Sequence, residues 1–317
     1  MHPKHMENTH ASTMFSRVYQ ALPSVGAIIV AFGWAFGWYV LVLSNSTLEE
    51  SLPSSVVSHT SHTSSMLIVT AVQPKQCAST MGSYINVLSI KNKQDYARLH
   101  GYQLYVGTNQ VDPLLKGPWN KMALLKRLME TTSYTWFMWI DADAMFVDHT
   151  FKIPFDKYEG RNLIIWGDEK SIFDVGDAHM GTNSGVFLIR NTVWGKTFVD
   201  EVCSLGGPDR EQELVSGLAN YEGALFDQNA FVYILKKRTR EASLPHIVLE
   251  NQYLLNGYWK DLPASKLASV RPFISHFSGC QFCSGVNKKE AEACDQTWMD
   301  TYKHGNQLAW DMLRTKG

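Results

Sequence analysis

Two carboxylates one residue apart, Asp141 and Asp143, directly follow the apolar run YTWFMWI at residues 134–140. A buried strand that ends this way projects both carboxylates into the crevice at the carboxyl edge of its sheet, where open α/β sheets bind ligands. Two hard oxygen ligands at that spacing suit Mg²⁺ or Mn²⁺ held against a diphosphate, which supplies the remaining ligands. Asp-x-Asp pairs are common, and a lone one is usually a solvated turn. Here the preceding residues Trp136, Phe137, Met138, Trp139 and Ile140 run without a break, which predicts a strand covered on both faces. The like-charge repulsion of two carboxylates at such an exit is relieved by a cation. The pattern therefore predicts a nucleotide-sugar transferase site.

The elements that must position this pair follow from periodicity. MLIVTAV at 66–72 reads as a first buried strand, residues 83–99 as a helix ended by Gly101, and YQLYVG at 102–107 as a second strand. Residues 121–130 place Met122, Leu125, Leu128 and Met129 on one helical face with basic residues opposite. Strand, helix, strand, helix, strand predicts an α/β fold with a mainly parallel sheet. Further strands are expected at 162–169 and 184–191, and helices at 192–203, 227–238 and 294–314. Residues 246–259 begin as a strand, and the polar stretch 206–223 reads as the most mobile part of one catalytic domain over 66–317.

The 317 residues carry 45% hydrophobic and 19% charged side chains and a formal net charge of −1, ample for a sizeable core. The absence of a basic stripe to neutralise phosphates argues against sequence-independent nucleic-acid binding, so no nucleic acid is expected as a partner. Glycine-rich dinucleotide and P-loop fingerprints are absent from the sequence, as is any internal repeat. Residues 25–43 contain no charge and would span roughly 28 Å as a helix, close to a bilayer core. This predicts a transmembrane anchor between a cytosolic tail, 1–24, and a flexible Ser/Thr-rich stem, 44–65. A sequon at Asn45 lies too near the membrane for ready glycosylation. The layout is that of a single-pass type II protein facing a secretory lumen. Of the five cysteines, Cys77, Cys203, Cys280, Cys283 and Cys294, at least one must stay unpaired. His276, Cys280, Cys283 and Cys294 have spacings that a zinc site permits, but an oxidising lumen favours a disulfide using Cys294.

Eight collinear motifs, VTAVQPKQC (69–77), SIKNKQDYARLHGYQLY (89–105), WNKMALLKRLM (119–129), WIDADAMF (139–146), TNSGVFLIRN (182–191), FDQNAFVYIL (226–235), NGYW (256–259) and HFSGCQFCSG (276–285), together resemble glycosyltransferase family 34. Within it, the likeness is to plant-type xyloglucan xylosyltransferases and galactomannan galactosyltransferases. The resemblance implies a GT-A type nucleotide-diphospho-sugar transferase fold, Rossmann-like with a mixed, mainly parallel sheet, and a divalent cation, Mn²⁺ or Mg²⁺. It also implies a UDP-sugar donor and retaining, α-configured transfer. Carried over motif by motif, Asp141, Asp143 and His276 become the cation ligands. Gln228 falls beneath the anomeric carbon, and Asp227 contacts the transferred sugar or steadies positive charge on it. Lys121 approaches the nucleotide or, with equal weight, is a solvated lysine on a helix face. Asn183, Ser184 and Gly185 resemble the loop that meets donor and acceptor sugars, and Gly279 and Gln281 fall in the donor-binding segment.

Two departures stand out. Phe226 replaces the first carboxylate of the family's Asp-Asp-Gln, and Gln281 stands where the xylosyltransferases carry a lysine near the diphosphate, which tilts the reading towards galactose. Tyr253, Tyr258, Trp259, Trp119 and Trp166 offer flat faces for a polysaccharide acceptor, with most expected in the core. The expectation is a Golgi enzyme decorating a β-1,4-linked backbone: xylose onto the glucan of xyloglucan, or galactose onto mannan. Its expected partners include related transferases, in a homo- or hetero-oligomer. A scaffold subunit of a transferase complex and a lumenal glycosidase are the competing readings.

Overall fold

The computed structural model describes residues 27–34, 37–44, 65–73, 75–221, 223–284 and 288–315, and the chain divides into two units, Met1–Ser61 and His62–Gly317. In the first unit, strands β1 (Ala27–Trp34) and β2 (Gly37–Ser44) pair antiparallel, Ala27 opposite Ser44. Where a helix was expected over 25–43, residues 27–34 and 37–44 are thus paired strands. An unbroken apolar run has no period to separate helix from strand, and Ile28, Ile29, Val30, Val40 and Val42 are β-branched. Side chains there, the tail over 1–24 and residues 45–64 of the stem with the Asn45 sequon lie outside the described residues. No helix among the described residues is long and apolar enough to cross a membrane.

The second unit begins with β3 (Met66–Ala71), buried through Thr70. Helix α1 (Thr80–His100) is capped at its start by Ser79, whose Oγ accepts from Gly82 N at 2.8 Å, and at its end by Gly101 at φ 72°. Glycine reaches that left-handed conformation without steric cost. Next come β4 (Gln103–Gly107), α2 (Asn120–Thr131), β5 (Trp136–Ile140) and the short β6 (Ala144–Phe146). The chain continues through β7 (Leu163–Gly167), β8 (Thr182–Arg190), α3 (Val193–Leu205), α4 (Glu211–Gly217) and α5 (Asp227–Lys237). Strands β9 (Ile247–Leu249) and β10 (Gly257–Tyr258), helix α6 (Ala264–Val270), β11 (Ile274–His276) and α7 (Lys288–Thr315) complete it. The stretch expected to be mobile, 206–223, contains helix α4.

The main sheet has the order β4-β3-β5-β8-β7-β9, and β8 runs antiparallel to both its neighbours while the other pairings are parallel. The mixed, mainly parallel α/β sheet expected from the sequence is present. Alternation sorts its side chains into two layers. Leu67, Val69, Phe137, Trp139, Phe187 and Ile189 pack with α2, α3 and α5, whereas Met66, Ile68, Trp136, Met138, Val186 and Leu188 pack with Tyr96 and Ala97 of α1. Past the carboxyl end of β5 the chain turns through Asp141-Ala142-Asp143 into β6, which leaves the main sheet and pairs with β11 in a second sheet of order β10-β11-β6. A third apolar cluster, including Ile85, Met145, Phe277, Trp298 and Tyr302, lies beneath that sheet.

Disulfides Cys77–Cys283 and Cys280–Cys294 tie the 279–284 segment to the start of α1 and to α7, and leave Cys203 free. The favoured bridge through Cys294 is present, the zinc alternative is not formed, and one thiol stays unpaired as the odd count requires. Ala78 N donates to Cys283 O at 2.9 Å and Ser79 Oγ to Phe282 O at 3.1 Å, docking the same segment on the helix start.

Candidate cation and donor site

Register brings distant residues together. His276 lies opposite Ala144 across the β6–β11 pair, and Phe277 N donates to Asp143 O at 2.9 Å. Asp141, Asp143 and His276 thereby present ligand atoms that all lie within 4.8 Å of one another. His276 Nε2 is 3.3 Å from Asp143 Oδ1.

The tautomer of His276 follows from its neighbours. Asn256 Nδ2 donates to Asn183 Oδ1 at 2.6 Å and to Asn183 O at 3.2 Å, both acceptors. Its Oδ1 therefore faces His276 Nδ1 at 2.8 Å, and Nδ1 must be the donor. In the neutral ring this leaves the Nε2 lone pair free towards Asp143, the arrangement that orients a metal-binding histidine. Gly185 clears room for the ring: a Cβ there would lie 2.1 Å from His276 Cε1.

Asp141 is fixed from two sides. Trp139 Nε1 donates to its Oδ1 at 2.6 Å, and Lys121 Nζ lies 3.5 Å from the same oxygen. Lys121 Nζ also lies 2.9 Å from Asp227 Oδ2, an ion pair without hydrogen-bond alignment, and donates to Ser184 O at 3.1 Å. The expectation of basic residues opposite the apolar face of α2 holds for Lys126 and Arg127 and is corrected for Lys121, which is buried with Met122, Leu125 and Leu128. Two carboxylates compensate its charge, so the solvated-lysine alternative falls.

Electrostatics match this wiring. Burial works against charge on Lys121, but Asp141 and Asp227 outweigh it and hold the ammonium above its ordinary value. Burial pushes the Asp227 carboxyl up, and the opposing pull of Lys121 does not cancel the rise. Crowding by protein alone would raise Asp143, yet His276 holds it below the ordinary carboxylate range. His276 is raised in turn, Asp143 overcoming the effect of burial. Burial pushes the Lys93 ammonium, beneath the turn, down to about 7 against the pull of Asp143 and Asp141.

Asp141, Asp143, Lys121, Trp139, Asn86 and Gln281 line a cavity of about 530 Å³, with the 281–284 segment as one wall. Gln281 takes φ 45° and Gly279 φ 87° in the turn that builds that wall. Gly279 shapes the segment without lining the cavity. Asn183, Ser184 and Gly185, expected in a sugar-binding loop, lie instead in β8, where they support Asn256, Lys121 and His276. Gln228 follows Asp227 in the first turn of α5, half-buried, and its Nε2 donates to His179 O at 3.4 Å. Phe226 is 47% and Tyr258 41% exposed, whereas Trp119 is buried and Trp166, Tyr253 and Trp259 are half-buried.

Sequence reasoning gave no role to Asn256, Ser89 or Lys93, although each lies in a quoted motif. The available signal was polar side chains on the expected buried side of an element.

Over residues 62–287 the chain matches the galactosyl transferase GMA12/MNN10 family. Probable xyloglucan 6-xylosyltransferase 3 of Arabidopsis thaliana is 34% identical over 247 residues, covering 72% of this chain and 54% of that protein. Galactomannan galactosyltransferase 1 of Cyamopsis tetragonoloba is 28% identical over 297 residues, covering 80% of this chain and 68% of its own length. The chain spans about half the length of the xylosyltransferase-type relatives it matches. A crystal structure of a glycosyltransferase involved in the glycosylation of the major capsid of PBCV-1 shares the fold, with a TM-score of 0.50 at 13% identity, covering 74% of this chain and 98% of that one. The carboxylate pair at the strand exit, the distant histidine and the family match over 62–287 converge: this chain belongs to glycosyltransferase family 34, the galactosyl transferase GMA12/MNN10 family.

Proposed function

We propose that the chain is a metal-dependent, retaining α-glycosyltransferase that moves xylose or galactose from a UDP-sugar onto a β-1,4-linked backbone, the glucan of xyloglucan or mannan. The observation that carries this reading is the Asp141, Asp143 and His276 cluster bordering a cavity, with ligand atoms within 4.8 Å. The donor set fits Mn²⁺ or Mg²⁺: two hard carboxylates and an imidazole whose Nδ1 is committed to Asn256. A divalent cation bound there would supply Lewis-acid stabilisation of the charge that grows on a leaving diphosphate.

The chain's own residues do the remaining work. Trp139 and Lys121 hold Asp141 in place, and Lys121 keeps Asp227 paired behind the cavity. Gln228 is assigned to stabilise positive charge on the donor ring through its amide oxygen, while its Nε2 is tied to His179 O. Asp227 contributes negative charge beside it. Gln281 meets the donor from the disulfide-held wall, and exposed Phe226 and Tyr258 offer apolar faces to an acceptor. The absence of charge over 25–43 supports anchoring of the chain at the Golgi membrane with the catalytic unit in the lumen, and assembly with related transferases belongs to the same reading.

The test is a donor and acceptor screen on the full chain with Mn²⁺. UDP release is measured from UDP-xylose, UDP-galactose and UDP-glucose, with and without cello- and manno-oligosaccharides. Acceptor-stimulated turnover of UDP-xylose or UDP-galactose is expected. UDP binding with no turnover of any donor would favour a non-catalytic subunit.

A further inference from the structure

The Asp141-Ala142-Asp143 turn and β6 have two edges, and only one is covered by a strand. The odd-numbered backbone groups pair with β11: Asp143 O accepts from Phe277 N, and Val147 N donates to Phe273 O at 2.9 Å each. Strand β6 ends its sheet, so the even-numbered carbonyls face the other way with no strand to meet them. Helix α1 meets them with side chains. Ser89 Oγ donates to Ala142 O at 2.5 Å, Lys93 Nζ to Ala144 O at 2.7 Å, and Asn92 Nδ2 to Phe146 O at 2.8 Å. Asn92 Oδ1 also accepts from Phe146 N at 2.8 Å, so its amide closes both halves of a strand-like bond pair. Lys93 Nζ donates further to Ser89 Oγ at 2.5 Å, linking two of the three contacts.

Positions 89, 92 and 93 lie on one helical face, and positions 142, 144 and 146 on one strand edge. A helix face stands in for the missing neighbour strand.

Resting on the cation reading above, we propose that this polar face is the seat that sets the spacing of Asp141 and Asp143, with Lys93 as its central positioning residue. Lys93 is fully buried; it touches the backbone just beyond the two carboxylates at Ala144 O and reaches the carbonyl between them, Ala142 O, through Ser89. It reaches the cation only through the turn it holds. A buried lysine is a poor choice for stability alone, since burial opposes its charge. Its long stem is what spans from the helix to Ala144 O while also meeting Ser89.

A point-charge role and a positioning role predict opposite signs. Removing a nearby positive charge should tighten cation binding, whereas loosening the turn should weaken it.

The experiment is a titration of the purified full chain with Mn²⁺ alone, read by the paramagnetic resonance signal of free Mn²⁺, beside a thermal melt. Lys93→Met is expected to weaken Mn²⁺ binding about 10- to 100-fold, the range for groups that orient metal ligands. Ser89→Ala, which removes one hydroxyl and is the milder change, is expected to weaken it by a smaller factor and to lower the melt less than Lys93→Met does. If Lys93→Met does not fold, Ser89→Ala decides. Lys91→Ala, on the same helix but paired with Asp95, should leave Mn²⁺ affinity unchanged. Unchanged or tighter binding in the Lys93 and Ser89 variants would overturn the positioning role while leaving the cation site standing. A wild-type chain that binds no Mn²⁺ would overturn both.

Discussion

The cation cluster beside the cavity and the Gln228 region, which lies outside the cavity lining, differ in how their side chains are held. On the cation side each ligand has a partner: Asn256 orients His276, Trp139 and Lys121 fix Asp141, and Ser89, Asn92 and Lys93 hold the turn. On the Gln228 side the grip is looser. Gln228 has one long bond to a loop carbonyl, and Phe226 and Met180 are 47% and 59% exposed. Both departures from the family pattern, Phe226 and Gln281, fall at exposed positions, while the matching Asp227 and His276 are buried. A buried, paired group cannot change without stranding its partner, whereas an exposed one leaves no buried partner unsatisfied. The cation cluster is thus held by paired groups, whereas Phe226 and Gln281 can change without stranding a buried partner.

The comparison breaks most visibly at Asp143. Asp143→Ala is expected to reduce transfer to background in the donor screen while the chain still melts cooperatively; substantial activity would remove Asp143 from the cation set. Lys121→Met strands Asp141 and Asp227 and should cost about 3–5 kcal/mol of stability in urea denaturation. A loss below about 1 kcal/mol, the scale of a surface pair, would show that the buried pair is not compensating charge.

Asn256→Ala sharpens the comparison, because it leaves all three ligands in place and removes only the orientation of His276. Mn²⁺ affinity should fall about 10- to 100-fold, and an unchanged affinity would mean that the ring needs no orienting partner.

The His276–Asp143 pair adds a pH dependence. His276 is raised above 6.5, so in the metal-free chain its contribution is full below 6.5 and lost as pH rises through its folded value. Asp143 is lowered below 3.8, so its contribution is full above 3.8 and lost as pH falls through its folded value. The pair therefore helps the metal-free chain most between about 3.8 and 6.5. Mn²⁺ affinity should rise with pH above that window as the cation displaces the imidazole proton. A flat affinity across pH 6 to 8, roughly the range where histidine titrates, would argue against His276 as a ligand. The smallest effect belongs to Phe226→Ala, expected to shift stability by less than about 0.5 kcal/mol and to change only the response to acceptor.

The carboxylate pair was legible because an unbroken apolar run in front of it marks a buried strand end, whatever the rest of the fold does. Helices α1, α2 and α5 were legible from periodicity, and Gly101 from its place after a helical stretch. Lys121 stayed open between two readings in the sequence: it lies one turn before Leu125, on the apolar face, and only the distant carboxylates Asp141 and Asp227 make its burial tolerable. Ser89 and Asn92 share a helical stripe with Ile85 and Tyr96, all buried. Their meaning depends on the free edge of β6, which local sequence does not announce. His276 and Asn256 become partners only through the pairing of β10, β11 and β6, so His276 was reached by resemblance and Asn256 was missed. The reversed direction of β8 is likewise a non-local choice.

The central claim is that Asp141, Asp143 and His276 hold a divalent cation that in turn holds a nucleoside diphosphate. It is tested most directly by calorimetric titration of the full chain with UDP, in Mn²⁺ and in EDTA. Saturable UDP binding that requires Mn²⁺, and is lost in Asp143→Ala, is the predicted result. UDP binding of equal strength in EDTA, or retained in Asp143→Ala, would contradict it.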